Sequence, residues 1–243
     1  MAGHSKWANI KHRKAISDYK KAKIFTKIIK ELTVAAKLGG ADPDSNPRLR
    51  SAIQASRKAN VSRDTMDRAI KKGVGGESQN FTEINYEGYG AGGVAIFVEC
   101  PTDNPTRTVA NIRSYFNKCE GSLGKDGCLQ FIFERKAIFV VPKGSIDEDE
   151  FTLSMIDASA QEVEVEGDFF NVIGDMESFG SISKKIEEFK IEPESASLER
   201  LPITTKAVDK ETYEKVMKLI DLLEDDDDVQ KVYHNMEFNE SLI

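Results

Sequence analysis

Phe25, Ile28, Ile29, Leu32 and Ala36 recur at the three- and four-residue spacing of a helix, and Lys20, Lys23, Lys27, Lys30 and Lys37 recur at the same spacing. At about 100° per residue the two stripes lie roughly 160° apart, which predicts one helix from about residue 17 with a buried face and a row of ammonium groups opposite. Gly39-Gly40 and the run DPDSNP end it. Asn46 as N-cap and Pro47 at the first helical position open a second helix to about Lys58, with Leu49, Ala52, Ile53 and Ala59 inward. Asn60-Val61 turns the chain, and Ser62 caps a third helix to Lys72 that buries Met66, Ala69 and Ile70. Short connections make these three a small bundle, and the second and third have the look of a helix-turn-helix.

Gly73, Gly75 and Gly76 with Ser78 and Gln79 read as a linker, after which strands take over. Glu83–Glu87 and Val94–Cys100 flank GYGAGG as a hairpin. Asp103 or Asn104 caps a helix from Pro105 to about Lys118, and Cys128–Phe133 is the next predicted strand. A β-α-β-β-α-β run follows: strand Ala137–Val141, helix Glu148–Ala158, hairpin strands Glu162–Glu166 and Phe169–Ile173, helix Ile182–Phe189 and strand Ala196–Arg200. That order is the ferredoxin-like split βαβ. The flanking segments 94–133 and 201–233 compose a second copy, with Leu201–Thr204 as its third strand, helix Lys210–Leu223 and strand Val229–Tyr233. The expected fold is therefore α+β and multidomain: a three-helix domain, then two ferredoxin-like α/β domains with the third inserted in the second. The expected boundaries are 1–76 for the basic helical domain with its N-terminal arm, 77–135 plus 201–243 for the split domain, and 136–200 for the insert.

Charge changes this picture. The formal balance of −7 hides a split: residues 1–75 hold 18 Lys and Arg against 6 Asp and Glu, residues 76–243 hold 16 against 35. A segment at +12 ahead of a body at −19 points to a partner that is nucleic acid or another anionic surface, with the acidic part repelled by phosphate and so orienting the molecule. No apolar run approaches the roughly 20 residues that span a bilayer, and Lys and His interrupt the start of the chain where a signal peptide would be apolar. A cytoplasmic protein with no membrane partner is expected. Cys100, Cys119 and Cys128 are odd in number with no CxxC, which argues against a disulfide framework and against zinc.

Lys6, Lys11, Arg13 and Lys14 with Trp7, His4 and His12 suit an arm that follows a phosphate backbone. Trp7 has two readings: stacking on an unpaired base, or packing across the bundle, the commoner fate of a lone large aromatic. Two histidines without a third ligand make no metal site. A single acid, Glu31, stands four residues from a member of the Lys20-to-Lys37 row, so the row reads as phosphate-facing rather than as a self-balanced solvated face. Arg48, Arg50, Arg57, Lys58, Arg63, Arg68, Lys71 and Lys72 extend the cationic patch in part, the rest being ordinary solvated charges. Gly88–Gly93 joins two strands with no GK[ST] after it, which is a hairpin rather than a nucleotide cradle. Helix capping accounts for Asp103, Asn104 and Pro105 but leaves Arg107 unexplained, and Asp225–Asp228 reads as a solvated acidic turn, not a calcium loop.

With MAGHSKWANIKHRK, KIFTKIIKELTVAAKLGGADPDSNPRLR, YEGYGAGGVAIFVECPTDNPTRTVANIR and LIDLLEDDDDVQKVYHN in view, the chain resembles the YebC family nearly end to end. That family includes the mitochondrial translational activator of cytochrome oxidase subunit one. The resemblance implies a helical first domain and two α/β domains, no established catalysis, and a role in transcription or in translation on the ribosome. The start at Met1 without a presequence points to a bacterial-type member.

The expected function is a non-enzymatic nucleic-acid-binding regulator of gene expression. Its candidate contacts are Lys6, Trp7, Lys11, His12, Arg13, Lys14, Lys20, Lys23, Lys27, Lys30 and Lys37. It is expected to use no cofactor and no metal, and to act as a monomer. Ribosomal RNA is the favoured target, because the densest charge lies outside the helix-turn-helix pair; DNA is the alternative, and the acidic domains are free for the ribosome or another protein. An enzyme with a site between the α/β domains is the competing class.

Overall fold

A computed structural model describes residues 21–75, 82–237 and 239. Among them run seven helices and eight strands, in two four-stranded sheets. The fold is α+β and multidomain, as expected. The described residues gather into two compact units, one from residues 21–27, 82–134 and 201–237, the other from residues 28–75 and 135–200. The first three helices are α1 (Lys21–Gly39), α2 (Pro47–Lys58) and α3 (Arg63–Val74). No helix is long and apolar enough to cross a membrane among the described residues.

Asn46 does more than start α2. Its Oδ1 accepts from the Leu49 amide at 3.1 Å while its Nδ2 donates to Ala35 O at 2.8 Å and Gly40 O at 2.9 Å. One buried amide therefore closes the end of α1 onto the start of α2. Gly40 takes φ +86°, the left-handed conformation that lets a helix stop. Leu32, Ala35, Ala36, Leu49, Ala52, Val61, Met66 and Ala69 form the helical core, which on α1 begins at Ile28. Phe25 precedes that core and is 41% exposed, against the inward place predicted for it. The third helix runs two residues beyond its predicted end, through Gly73, because α3 crosses α1 there. A β-carbon on Gly73 would stand 2.5 Å from Thr33 O and 2.9 Å from Ala36 Cβ. Thr33 Oγ1 donates to Ala69 O at 3.2 Å at the same crossing.

The insert comprises β4 (Phe133–Pro142), α5 (Glu148–Asp157), β5 (Ala160–Glu166), β6 (Phe169–Asp175), α6 (Phe179–Glu188) and β7 (Ser195–Pro202), the elements α4 and β1–β3 being given below. Its strand order β5-β6-β4-β7 is that of a ferredoxin-like sheet. Phe139, Phe151, Phe170 and Phe179 fill the space between sheet and helices. In the same unit α2 is tied to this domain: Ser51 Oγ donates to Ala196 O at 2.7 Å and Lys58 pairs with Glu194 at 2.9 Å.

The other sheet holds β1 (Thr82–Tyr89), β2 (Ala95–Thr102), β3 (Ser122–Leu123) and β8 (Lys231–His234) in the order β3-β1-β2-β8, with α4 (Pro105–Lys118) and α7 (Lys210–Glu224). Its layout is a permuted ferredoxin-like sheet, with two departures from the sequence reading. The central position beside β2 is taken by β1, which precedes it in the chain, whereas Leu201 and Pro202 only complete β7. Segment Asp126–Ile132 is turns rather than the predicted strand. Glu87, itself buried, accepts from the Gly127 amide at 3.0 Å and the Leu129 amide at 2.5 Å, and this holds the segment in a bend. Leu129 and Phe133 go into the core while Phe131, which a strand would place on the same face as both, is 82% exposed.

Candidate nucleic-acid interface

Among the expected contacts, Lys6, Trp7, Lys11, His12, Arg13, Lys14 and Lys20 lie outside the described residues. Lys23, Lys27, Lys30 and Lys37 fall along one line of α1. Lys37 is exposed; Lys27 and Lys30 are half-buried. Val34, inside the arc of those lysines, is 3% exposed, and all five residues from Leu32 to Ala36 are buried. At that level α1 is covered on its lysine side as well as on its apolar side, which a two-stripe pattern does not anticipate.

Lys27 Nζ donates to the main-chain oxygen of Glu224 at 2.8 Å. Its own carbonyl accepts from Gln230 Nε2 at 3.2 Å.

The eight cations of α2 and α3 divide by geometry. Arg48 makes a two-pronged pair with Glu31, Nε to Oε1 at 2.6 Å and Nη2 to Oε2 at 3.1 Å. Arg50 donates to Pro43 O and Asp44 O, both at 3.1 Å, and so braces the turn before α2. Lys58 pairs with Glu194, and Arg68 with Asp64 at 2.8 Å. Arg57, Arg63, Lys71 and Lys72 are exposed and make no side-chain ion pair among the described residues. Asp64 stands four residues before Arg68, a pairing a helix makes locally, whereas Glu31 and Glu194 reach Arg48 and Lys58 only through folding, so sequence does not separate those two cations from the exposed four. The connection between α2 and α3 is compact, with Asn60 at φ +56° and Ser62 Oγ capping Thr65 N at 3.3 Å.

The acidic turn after α7 is not a solvated run. Asp226 and Asp228 are buried. Asp228 takes Arg107 Nη2 at 2.7 and 2.8 Å, Arg107 Nε at 3.0 Å and Thr108 Oγ1 at 2.9 Å. Asp226 takes Asn111 Nδ2 and Tyr115 OH, each at 3.0 Å. Arg107, unexplained from sequence, thus fastens α4 to the turn before β8, with Asp103 on its other side at 2.9 Å.

Burial first, then the hydrogen bond to Asp226, pushes the Tyr115 hydroxyl up from 10.0 to about 12. The folded protein holds this proton longer than the unfolded chain, so the contribution of Tyr115 is complete below pH 10 and is lost as pH rises through about 12. Alkaline unfolding followed by circular dichroism is expected to show a steeper loss between those values for the wild type than for Tyr115→Phe. Parallel curves would detach Tyr115 from that limb.

The glycine run forms an antiparallel hairpin, Tyr89 opposite Ala95, with Gly92 and Gly93 at φ +64° and +72°. A β-carbon at Gly92 would lie 2.7 Å from Thr212 Cγ2, so the residue is small because α7 packs on it. Among the described residues no three His, Cys, Asp or Glu side chains gather as a metal site.

Comparison with known proteins matches residues 5–76 to the TACO1/YebC protein N-terminal domain and residues 81–236 to the TACO1/YebC second and third domain. A "Probable transcriptional regulatory protein" of Amoebophilus asiaticus is 50% identical over 98% of this chain and 99% of its own. A "Probable transcriptional regulatory protein YebC" of Shigella boydii is 48% identical over 100% of this chain and 98% of its own. The crystal structure of a conserved hypothetical protein from Aquifex aeolicus superposes with a TM-score of 0.79 at 40% identity, covering 92% of this chain and 93% of that one.

Proposed function

The chain belongs to the TACO1/YebC family, and from that premise we propose that it is a non-enzymatic regulator of gene expression that binds nucleic acid through its basic N-terminal region. The observation that carries this reading is the segregation of charge, 18 cations against 6 acids in residues 1–75 and 16 against 35 in the rest. Exposed Lys37, Arg57, Arg63, Lys71 and Lys72 supply cationic surface on the folded bundle. Relatives named as transcriptional regulators support a regulatory role. The buried carboxylates of Asp226 and Asp228 use their acceptors on Arg107, Thr108, Asn111 and Tyr115, which is a structural employment.

Structured RNA on the ribosome is the target we favour. The densest run of cations, ten among residues 1–37 against two acids, precedes the compact α2–α3 pair, and backbone and shape recognition needs no base-reading helix. The α2–α3 pair and the relatives' names favour the second reading, duplex DNA. On either reading the protein acts in the cytoplasm as a monomer, with its acidic domains turned away from phosphate or towards a protein.

Lys23→Glu, Lys30→Glu and Lys37→Glu together are expected to weaken binding to a labelled RNA hairpin and to duplex DNA by more than about 100-fold, because three contacts become three repulsions. Lys27 is kept, since its ammonium serves a contact within the protein. Far-UV circular dichroism checks that the helices persist. Unchanged affinity in a folded variant would move the site off α1.

A further inference from the structure

Lys27 lies in the row expected to face phosphate, yet its ammonium group rests on the last carbonyl of α7, that of Glu224. Helix α7 has no basic residue in its last turn, so its C-terminal partial charge has no cation of its own. Lys27 fills that role at the start of a turn whose sequence, Glu224 to Asp228, is wholly acidic. The acceptor is rigidly mounted, because Asp226 and Asp228 bind the following turn to α4. A second bond closes the contact from the other side, Gln230 Nε2 to Lys27 O, while the main-chain N–H of Gln230 donates to Glu99 O at 2.8 Å. Gln230 Oε1 is buried with no hydrogen-bond partner. A buried amide that satisfies only its donor end is costly to keep, and its one side-chain bond goes to Lys27.

We propose that this contact is autoinhibitory: the end of α7 and Gln230 hold Lys27 in an intramolecular anion-like seat that a polyphosphate must displace. The proposal rests on the nucleic-acid reading above and adds regulation to the same surface. The protein supplies an oxygen acceptor of its own, the terminal carbonyl of α7 in an acidic stretch of sequence, and so raises the threshold for ligands with few phosphates. A polymer presenting many phosphates overcomes it, whereas a mononucleotide does not.

Gln230 gives a test in which net charge does not change. Gln230→Ala and Gln230→Met remove the bond to Lys27 O without altering the acidic surface that repels phosphate. Fluorescence anisotropy with a labelled single-stranded RNA and a labelled duplex DNA is expected to show binding tighter by about threefold to tenfold in both variants, the weight of an ordinary hydrogen bond or somewhat more. Amide exchange at residues 21–27 should quicken in parallel, and thermal melting checks folding. The methionine variant fills the space if the alanine variant packs poorly. Equal or weaker affinity, with or without faster exchange, overturns the inhibitory role while leaving nucleic-acid binding intact. If neither the wild type nor either variant binds either probe, the nucleic-acid reading falls and the inhibitory role with it.

Discussion

Raising monovalent salt from about 50 to about 200 mM is expected to weaken the nucleic-acid complex by about 10²- to 10⁴-fold. Each phosphate neutralised by a lysine or arginine releases a condensed counterion, so the logarithm of affinity falls linearly with the logarithm of salt. Five to eight contacts give a slope of about −4 to −7. The candidates are sufficient for that number: Lys23, Lys30 and Lys37 on α1, and exposed Arg57, Arg63, Lys71 and Lys72 on α2 and α3. The acidic remainder, 16 cations against 35 acids, is expected to contribute little to the footprint. Anisotropy titrations across a salt series measure the slope directly. A slope near zero would mean that the partner is not a polyphosphate, and the argument from charge would fail for RNA and DNA alike.

Gly73→Leu is expected to unfold the helical bundle, or to cost it more than about 3 kcal/mol, the upper range for overpacking a tight site. The obstacle is backbone: Thr33 O lies 2.5 Å from where a β-carbon would be, with Lys37 N at 3.2 Å, and neither can rotate away. Helix α3 would have to lift off α1, opening the contacts of Met66 and Ala69 with Leu32 and Ala36. Gly73→Ala separates two opposing effects. Alanine improves helix propensity by about 1 kcal/mol, yet the same clash remains, so a net loss of about 1–2 kcal/mol is expected. Chemical denaturation monitored by circular dichroism gives both values. An alanine variant as stable as the wild type would show that the crossing is looser than this geometry. Because Lys37 sits on the crossed turn, loss of nucleic-acid affinity in Gly73→Leu should accompany loss of helix rather than precede it.

Most helix starts were legible because their signals are local. Asn46, Ser62 and Asn104 accept from the amides three residues on, the reach of one side chain, and Pro47 and Pro105 stand where a missing amide does no harm. The insert was legible in full order, since each of its strands and helices carries its own periodicity. Segment 126–132 was not. Cys128, Leu129, Phe131, Ile132 and Phe133 have the composition of a strand, but the Glu87 carboxylate, some forty positions earlier, takes two of the segment's amides while other amides of the segment close turns. At the candidate interface the cationic composition was readable, but the fate of each cation was not. Arg48 and Arg57 differ only in whether an acid from elsewhere in the chain reaches them.

By itself the amino-acid sequence determined the helices, most of the strands, the hairpin at Gly88–Gly93, the α+β class and the division into a cationic front and an anionic body. Each of these depends on residues within a few positions of one another, or on simple counts. Tertiary structure alone decided that β1 takes the central place beside β2, that Arg107 clasps Asp228, that Val34 is covered on the lysine side of α1, and that Lys27 ends on Glu224. Arg107 and Asp228 stand 121 positions apart and Lys27 and Glu224 stand 197 apart, and no local pattern can specify such pairings. They are selected by which pairings satisfy buried polar groups and fill apolar space at the same time.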